Sequence, residues 1–537
     1  MPTIISPEEL KLLLESDEIY ALIDVRERNE YEQGQILGAT QVPRRLLESR
    51  IPVLIPVRNT KVILYDNDNY RSSLAAHTLK KYGYTNIYIL AGGLNSWKIA
   101  GYPVVEGIHV LSKSFGEIVG EIRKSVLKLS ATELKKIIDS NEDRFVIIEV
   151  RPLEEVQKTG SIPGAISIPG VELPLRITDY AKTGQKIITT CAGRTRGFIS
   201  CATLKLMGID NVYDLNNGTM GWQLAGFDLE KEVKKGALPS FESKKEGANF
   251  ATKLANESNI QLISVKQLQA LQQNAHQETL YLLDVRSDEE YAEIGHIAGS
   301  IAIPGGQAIQ NTDDVIAVHN ATIVFVCDNS ARAIITAYWY NQMGFTNVYV
   351  LDGGLSAWTH LGYRLEKGPG QSLALGFIEA SERVAKINAN RLKSIVDKPS
   401  KTIIINVEDS KKFHHGHIPG AHWVPRGWLE KRIENVITDK GTPLVVTCSD
   451  GFNSVLAAVT LLEMGFYNVC ILDGGTKSWV EAGYGLTSGM EGIEPDDWHV
   501  HLTEFGRREA IQYLKWEEDI INLLEYMNYF YRRGIVK

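Results

Sequence analysis

A short run of residues around Cys191 has the types and spacing that a reactive thiol requires. An apolar strand is predicted to end at Thr190, and the loop 191–196 (Cys-Ala-Gly-Arg-Thr-Arg) leads into a predicted helix. A cysteine at that point lies where backbone N–H groups and the positive end of the helix dipole converge. Both features lower the pKa of a thiol, and the two arginines of the loop act in the same direction. The sequence therefore predicts a thiolate at Cys191.

The elements that position this loop recur four times along the chain. The loop head, which we define as the first loop residue, precedes a tryptophan by the same 31 positions in every copy: Asp66 and Trp97, Cys191 and Trp222, Cys327 and Trp358, Cys448 and Trp479. Each head also follows a strand-end motif (24–26, 149–151, 284–286 and 406–408) and a glycine-bounded turn such as Gly-His-Ile-Pro-Gly-Ala at 416–421. This fixed spacing indicates a tandem array of four units.

Helix and strand signals alternate within a unit. In the first copy Ser6, Pro7 and Glu9 have the types expected at the N-cap, N1 and N3 positions of a helix. Short apolar runs at 19–25, 61–65 and 86–90 predict strands, and 71–82 predicts a helix. Short apolar strands between helices are typical of a covered parallel sheet. We therefore expect an α/β fold with four tandem doubly wound domains, each a central parallel sheet flanked by helices, in which reactive loops follow the carboxyl ends of strands.

The repeat gives the expected domain boundaries. They are 1–105, 126–230, 258–367 and 385–487 for the four domains, followed by a C-terminal helical tail at 488–537. The linker 104–128 is expected to pack, whereas 228–259 has the composition of an exposed connector. In the tail, 507–533 has helical periodicity, which predicts a helix docked on its own chain. A dimerisation helix, and so a homodimer, remains the alternative.

Composition excludes several classes of partner. The chain has 537 residues, 57 basic and 65 acidic side chains and a net charge of −8, with no basic block. This argues against nucleic acid or an anionic membrane as the main partner. The sequence shows no signal peptide and no membrane-spanning run, and its five scattered cysteines suit reduced thiols. We therefore expect a cytoplasmic protein, and nothing in the chain calls for a metal or an organic cofactor.

These motifs resemble the rhodanese, or sulfurtransferase, family. The matching features are the Asp-Val-Arg strand end, the Gly-His-Ile-Pro-Gly-Ala turn, the cysteine-headed loop closed by arginine, and the Gly-Gly element that carries tryptophan. The resemblance implies that a loop cysteine takes up a sulfane sulfur as a persulfide and passes it to a nucleophile. Four residues separate Cys191 from Arg196, and four also separate Cys327 from Arg332. The related phosphatases have five, so the tighter loop favours sulfur over phosphate.

The resemblance assigns roles copy by copy. In copy one Asp66 stands where the thiol belongs, so this copy is expected to be inactive. Cys191 in copy two is the expected main nucleophile, and Cys327 in copy three is a second one. Copy four keeps Cys448 but has Asn453 in place of the closing arginine and Glu408 in place of the strand-end arginine, which makes it a doubtful site.

Further residues are expected to serve these heads. The expected donor-binding residues are Gly193, Arg194, Thr195 and Arg196 in copy two and Asp328 and Arg332 in copy three. Asp328 should also raise the pKa of Cys327 and disfavour an anionic donor. The expected supporting residues are Glu149, Arg151, Asp284 and Arg286 of the strand-end motifs.

We first expect structural roles for the remaining cysteines and for the histidines. Cys201 falls on a small-residue helix position and Cys470 on a strand, so both are expected to pack, with a resolving role for Cys201 as the alternative. His296 is expected to bond to the backbone of its turn, the alternative being a proton carrier. The histidines near 414–417 lack a second ligand cluster in the sequence, so no metal site is predicted there.

Three functions remain open at this point. The leading one is an enzyme that moves sulfane sulfur from thiosulfate or a similar small anionic donor to cyanide, a thiol or a protein acceptor. The second is a sulfur-carrier or protein-docking scaffold with mostly non-catalytic modules, which Asp66 and Asn453 favour. The third is a redox relay among Cys191, Cys201 and Cys327.

Overall fold

The alternation of helix and strand signals forms parallel sheets in the structure, which is a computed structural model. It describes residues 2–122, 124, 126–140, 144–181, 184–370, 374–398, 400–494, 497–498 and 506–522. The first helix begins as its sequence predicts: Ser6 Oγ accepts the N–H of Glu9, and the Glu9 carboxylate accepts the N–H of Ser6.

The first two copies have the same succession of elements. Copy one consists of β1 (Thr3–Ile5), α1 (Pro7–Leu14), β2 (Tyr20–Asp24), α2 (Arg28–Glu32), β3 (Thr40–Gln41), α3 (Leu47–Leu54), β4 (Lys61–Tyr65), α4 (Tyr70–Lys81), β5 (Ile87–Leu90) and α5 (Gly93–Ile99). After α6 (Val110–Glu117), copy two consists of β6 (Leu127–Leu129), α7 (Ala131–Asp139), β7 (Phe145–Glu149), α8 (Leu153–Thr159), β8 (Ile166–Ser167), β9 (Lys186–Thr190), α9 (Thr195–Leu206), β10 (Val212–Leu215), α10 (Gly218–Leu224) and β11 (Lys234–Lys235).

The last two copies repeat the plan. After α11 (Phe241–Glu257), copy three consists of β12 (Gln261–Ile263), α12 (Val265–Asn274), β13 (Leu280–Asp284), β14 (Ile301–Ala302), α13 (Gly305–Gln310), α14 (Thr312–Val315), β15 (Val318–His319), β16 (Thr322–Val326), α15 (Ala331–Gln342), β17 (Val348–Leu351) and α16 (Gly354–His360). After α17 (Phe377–Arg383), copy four consists of β18 (Ala385–Ile387), α18 (Ala389–Val396), β19 (Ile403–Asn406), α19 (Ser410–His415), β20 (Ala421–Trp423), α20 (Leu429–Arg432), β21 (Leu444–Thr447), α21 (Phe452–Glu463), β22 (Val469–Leu472) and α22 (Gly475–Glu481), and α23 (Arg507–Asp519) follows.

All four copies share one strand order. It is β1-β5-β4-β2-β3 in copy one, β6-β10-β9-β7-β8 in copy two, β12-β17-β16-β13-β14 in copy three and β18-β22-β21-β19-β20 in copy four, and the pairings are parallel. The strand that precedes each loop head is central, with its apolar side chains buried. This arrangement confirms the predicted four tandem α/β domains.

The chain divides into two compact units. Residues 1–107 with 372–501 form the unit that contains copies one and four, and residues 108–371 with 502–537 form the unit that contains copies two and three. In the first unit Arg426 donates to the Glu48 carboxylate at 2.9 Å and the Arg71 guanidinium stacks on Trp428. In the second unit Trp339 of copy three donates to Thr203 of copy two at 3.0 Å.

The segments between the repeats pack more than their composition suggests. Helix α6 buries Val110 and Phe115, which confirms that the linker 104–128 packs. The prediction of an exposed connector at 228–259 is wrong for helix α11, because Phe250, Ala251 and Leu254 form a buried face. Its Gly247 lies so close to the preceding domain that a Cβ there would meet the Pro174 carbonyl at 2.6 Å. Within the described part of the chain, no helix has both the length and the apolar character that spanning a bilayer demands.

The closing turn of each copy fixes the position of the loop head. The head's carbonyl accepts an N–H from the helix that carries the tryptophan, at 2.8 Å from Thr219 to Cys191 in copy two. The second residue of the turn is glycine in all four copies, and a Cβ on Gly218 would lie 2.2 Å from the Cys191 carbonyl oxygen. Asn217 takes the first position with a φ of 62°, as expected for a residue that tolerates this conformation.

We therefore expect Gly218→Ala to unfold this turn locally. The variant adds a backbone clash to a left-handed conformation, for a combined cost of about 3 kcal/mol. Gly208→Ala is the matched control, since Gly208 also has a positive φ but has open space around its Cα. Hydrogen exchange of the peptide 187–206 should speed up more in Gly218→Ala than in Gly208→Ala, which adds the strain of the left-handed conformation without the backbone clash. Equal protection in both variants would contradict the assigned contact.

Candidate active site: the four loop heads

The three loop-head thiols are buried at the first turn of the following helix. Cys191, Cys327 and Cys448 are each exposed by 2% or less. A backbone N–H from the sixth residue after the head is directed at each sulfur: Gly197 at Cys191, Ala333 at Cys327 and Ser454 at Cys448. The distance from the Ser454 nitrogen to the Cys448 sulfur is 3.3 Å. The helix start therefore lies where the sequence predicts it.

The pKa values of the three thiols are raised, not lowered. The prediction of a lowered pKa for Cys191 is therefore wrong. Burial raises the pKa of Cys191 to about 12, and it raises the pKa values of Cys327 and Cys448 to about 11. Arg196 and Arg332 oppose the shift in copies two and three, but the loss of water outweighs their charge. Burial in this conformation of the loops therefore favours the neutral form of each thiol.

Copy one fills the same position with a fixed carboxylate. Asp66 Oδ2 accepts the N–H of Arg71 at 2.7 Å, and its Oδ1 accepts the N–H of Asn69 at 2.8 Å and the hydroxyl of Ser72 at 3.0 Å. Burial raises the pKa of Asp66, while these bonds oppose the shift. The loop N–H groups therefore bond to a carboxyl oxygen in the place where other copies hold sulfur.

A glutamate partner for each closing arginine was missed by the sequence analysis. Arg196 donates to both carboxylate oxygens of Glu155 at 2.6 and 2.8 Å, and Arg332 donates to Glu290 at 2.7 and 2.8 Å. Arg71 binds Glu30 of copy one in the same way, with both distances at 2.6 Å. A sequence signal existed, because each glutamate is the sixth residue after the acid of the strand-end motif.

Copy four has lost both partners together. The glutamate position is Lys412 and the arginine position is Asn453. Glu408 instead reaches the loop, where it accepts the N–H of Ser449 at 2.7 Å. A loop amide is thus occupied by the protein's own carboxylate beside Cys448, in agreement with the doubt that the sequence raises about this copy.

Arg194 holds the loop of copy two to its neighbours. Its guanidinium donates to Glu117 at 2.6 and 2.8 Å, to Glu121 at 2.7 Å and to Glu518 at 3.0 Å, and it also bonds to the Asn217 side chain. All five N–H groups of an arginine are used by these contacts. Its charge is thus taken up by acids distant in sequence, and its role in binding the donor anion stays a prediction.

The other predicted loop residues lie at or near the heads. Gly193 faces the Glu517 carboxylate of α23, and Thr195 packs against Gly116 of α6 with its hydroxyl buried. In copy three Asp328 accepts from Arg332 at 3.1 Å, and its charge raises the pKa of Cys327, as the sequence predicts.

The strand-end motifs form buried ion pairs. Arg151 Nη2 donates to Glu149 at 2.7 Å and to the Gly160 carbonyl at 2.8 Å. Arg286 makes the equivalent contacts to Asp284 and to the Gly295 carbonyl, each at 2.7 Å. Each pair joins the end of a central strand to the glycine-bounded turn beside the loop, which is a supporting geometry.

The histidines and the remaining cysteines have structural surroundings. His296 Nδ1 lies 3.1 Å from the Tyr291 carbonyl and its ring stacks on Tyr291, which confirms its place in the turn. Cys201 is fully buried in α9, and Cys470 lies on β22. Within the described residues, His109 meets Asp313 and Asp314 in a grouping with the ligand types of a metal site, where its Nδ1 is 2.8 Å from Asp313.

A second residue that the sequence analysis missed is Asp214, beneath the first turn of α9. It is buried on β10, where the other copies have Ile89, Val350 and Ile471. Its Oδ1 accepts the Thr189 hydroxyl at 3.0 Å, and a Cβ on Gly197 would lie 2.1 Å from the same oxygen. Burial raises the pKa of Asp214 well above its usual value. Comparing the four strands would have found this acid.

We expect Asp214→Val to stabilise copy two at neutral pH. The folded chain keeps a proton on Asp214 that the unfolded chain releases near pH 4, so the stability from this group falls as pH rises through the raised pKa. Removing the buried acid should raise the free energy of unfolding by about 1–3 kcal/mol at pH 8. Calorimetry at pH 5 and pH 8 measures this, with the exposed Asp210→Val as control. A lower melting temperature for Asp214→Val at pH 8 would contradict the assignment.

Comparison with known proteins agrees with this geometry. A model of the family described as "Rhodanese-like domain" matches residues 6–100, 130–225, 264–361 and 388–482, which is more than half of the chain. The crystal structure of a thiosulfate sulfurtransferase from Pseudomonas aeruginosa superimposes with a TM-score of 0.88 at 32% identity, covering 99% of this chain and 98% of that one.

Two curated proteins match parts of the chain. Thiosulfate/3-mercaptopyruvate sulfurtransferase 2 of Arabidopsis thaliana is 22% identical over 330 residues, which is 48% of this chain and 94% of that protein. The uncharacterized protein YqhL of Bacillus subtilis is 48% identical over 77 residues, 14% of this chain and 59% of its own length. With the family model and the full-length structural match, the chain belongs to the rhodanese-like family of sulfurtransferases and contains four copies of its domain.

Proposed function

We propose that this protein moves sulfane sulfur from thiosulfate or a similar small anionic donor to a thiol, a protein thiol or cyanide, through a persulfide on Cys191. The observation that carries the proposal is the buried Cys191 thiol at the start of α9, in a loop closed by the Arg196–Glu155 pair. The names of the Pseudomonas and Arabidopsis relatives support the donor class.

The chemistry divides into two displacement steps. The Cys191 thiol gives its proton to solvent, its sulfur attacks the sulfane sulfur of thiosulfate, and sulfite leaves with the electron pair of the broken S–S bond. Cyanide then attacks the outer sulfur of the persulfide and leaves as thiocyanate, which returns the electron pair to Cys191. Gly197 N–H and the N-terminus of α9 stabilise the negative sulfur in both steps.

Copy three has the elements of a second site. Cys327 receives the N–H of Ala333, and Arg332 closes its loop in a pair with Glu290. The added charge of Asp328 disfavours an anionic donor, so we propose that Cys327 reacts with thiosulfate more slowly than Cys191.

For copies one and four we propose a docking role in place of turnover. The Asp66 carboxylate occupies the sulfur position of copy one, and Glu408 occupies the Ser449 amide beside Cys448. These two occupied loops are the observation that favours a scaffold function for part of the chain.

Thiocyanate formation from thiosulfate and cyanide tests the assignment. We expect Cys191→Ser to remove most of the turnover and Cys327→Ser a smaller share, since serine forms no persulfide. Cys448→Ser and the control Cys470→Ser should retain wild-type rates. A double Cys191→Ser/Cys327→Ser variant with wild-type turnover would overturn the proposal.

A further inference from the structure

Two helices from outside the repeats cover the loop of copy two. Helix α6 precedes copy two and α23 follows copy four in sequence, and both belong to the same compact unit as Cys191. Arg194 of the loop binds Glu117 of α6 and Glu518 of α23, so one guanidinium connects the three segments.

Helix α23 directs one carboxylate at the loop. Glu517 is only 3% exposed, and its Oε2 would lie 2.9 Å from a Cβ on Gly193. A side chain at position 193 would displace this carboxylate, and glycine permits the close approach. The Glu517 carboxylate is therefore packed against the loop that carries Cys191.

The two oxygens of Glu517 have different surroundings. Its Oε1 accepts the hydroxyl of Tyr513 at 2.7 Å and lies 3.9 Å from Lys113 Nζ. Its Oε2 is buried without a hydrogen-bond partner among the described residues. A buried acceptor without a donor is costly, which suits a group that receives its donor from a ligand. The donor must enter at the loop, because that is where Oε2 points.

The charges around Glu517 come from three elements. Lys113 and Glu117 face it from α6, and Tyr513, which lies one turn before it on α23, is within electrostatic reach of Arg196 and the Cys191 thiol. Arg194, which is bound to Glu117 and Glu518, completes the set. Arg194 and Arg196 are each bound to acids. The ligand group that suits Glu517 Oε2 is therefore one that carries a proton and can donate it to this oxygen.

We propose that Glu517 is a catalytic acid–base residue of copy two that takes the proton of an acceptor thiol as that thiol attacks the Cys191 persulfide. The proposal rests on the sulfurtransferase function above and identifies the acceptor class as an uncharged thiol. A thiol that carries its proton is a poor nucleophile, whereas its thiolate attacks sulfur efficiently.

The atoms, electrons and charges of this step balance. The acceptor R–SH gives its proton to Glu517, and its sulfur bonds to the outer sulfur of Cys–S–S⁻. The S–S bond to Cys191 breaks and its electron pair goes to the Cys191 sulfur. The Cys191 thiolate then takes a proton from water and Glu517 returns its proton to water, so the products are R–S–S⁻ and the Cys191 thiol, and acceptor and persulfide together carry one negative charge before and after.

The test separates the two half-reactions of the full-length protein. Wild type and Glu517→Gln are loaded with thiosulfate, freed of donor, and discharged with either dithiothreitol or sulfite while intact mass is followed. Sulfite needs no deprotonation at pH 8. We expect Glu517→Gln to load at the wild-type rate or faster, to discharge to sulfite at the wild-type rate or faster, and to discharge to dithiothreitol about 100-fold more slowly.

Two further variants and a pH profile keep the test decisive. Glu509→Gln changes an exposed acid on the same helix and should behave as wild type. Tyr513→Phe keeps the ring but removes the bond that positions Glu517, so its discharge to dithiothreitol should slow while its discharge to sulfite stays at the wild-type rate. In Glu517→Gln that rate should rise in proportion to the thiolate concentration. Equal slowing with both acceptors, or no slowing with dithiothreitol, would overturn the role of Glu517.

The proposed function fails separately from this inference. If wild type gains no sulfur at Cys191 with thiosulfate, the sulfurtransferase proposal is wrong. If wild type loads and Glu517→Gln discharges to dithiothreitol at the wild-type rate, only the role of Glu517 is wrong.

Discussion

The fit between the loop-head carbonyl and the second glycine of the closing turn is the constraint on which each copy depends. A Cβ on that glycine would lie 2.2–2.4 Å from the head's carbonyl oxygen: Gly93 meets Asp66, Gly218 meets Cys191, Gly354 meets Cys327 and Gly475 meets Cys448. This contact, with the N–H bond to the same carbonyl, sets the head at the N-terminus of the next helix. The chemistry then depends on which side chain the head carries.

One scaffold therefore gives four different electrostatic outcomes. Asp66 supplies a carboxyl group in place of a thiol, Cys191 and Cys327 supply thiols beside a paired arginine, and Cys448 lacks that arginine. Burial disfavours the thiolate in each resting head, and the helix N–H groups favour the anion when a displacement begins. The family's fold accounts for the geometry, while single residues at the head and at the closing position distinguish the copies.

The sequence predicted the repeat, the parallel sheets and the place of each head because these depend on local spacing. It also predicted the φ of Asn217 and the backbone bond of His296. The sequence could also have predicted the paired Glu155 and the buried Asp214, because an alignment of the four copies shows both residues.

The sequence alone could not predict the pKa of Cys191 or the partners of Arg194. The partners of Arg194 lie on α6 and α23, which are outside the repeat and approach the loop from distant parts of the chain. The pKa of Cys191 depends on how deeply the folded loop buries its thiol. Two arginines in a loop suggest an anion site, but only the fold shows that one of them is already bound to three acids. The amphipathic face of α11 was present in the sequence and was obscured by its polar composition.

The central claim is that sulfur bonds to those heads that combine a thiol with a paired arginine. Intact-mass measurement followed by peptide mapping, after brief exposure to thiosulfate, tests it most directly. The account predicts added sulfur on the peptide containing Cys191, slower addition on the peptide containing Cys327, and none on the peptide containing Cys448. Sulfur on Cys448 equal to that on Cys191, or no sulfur on Cys191, would contradict it.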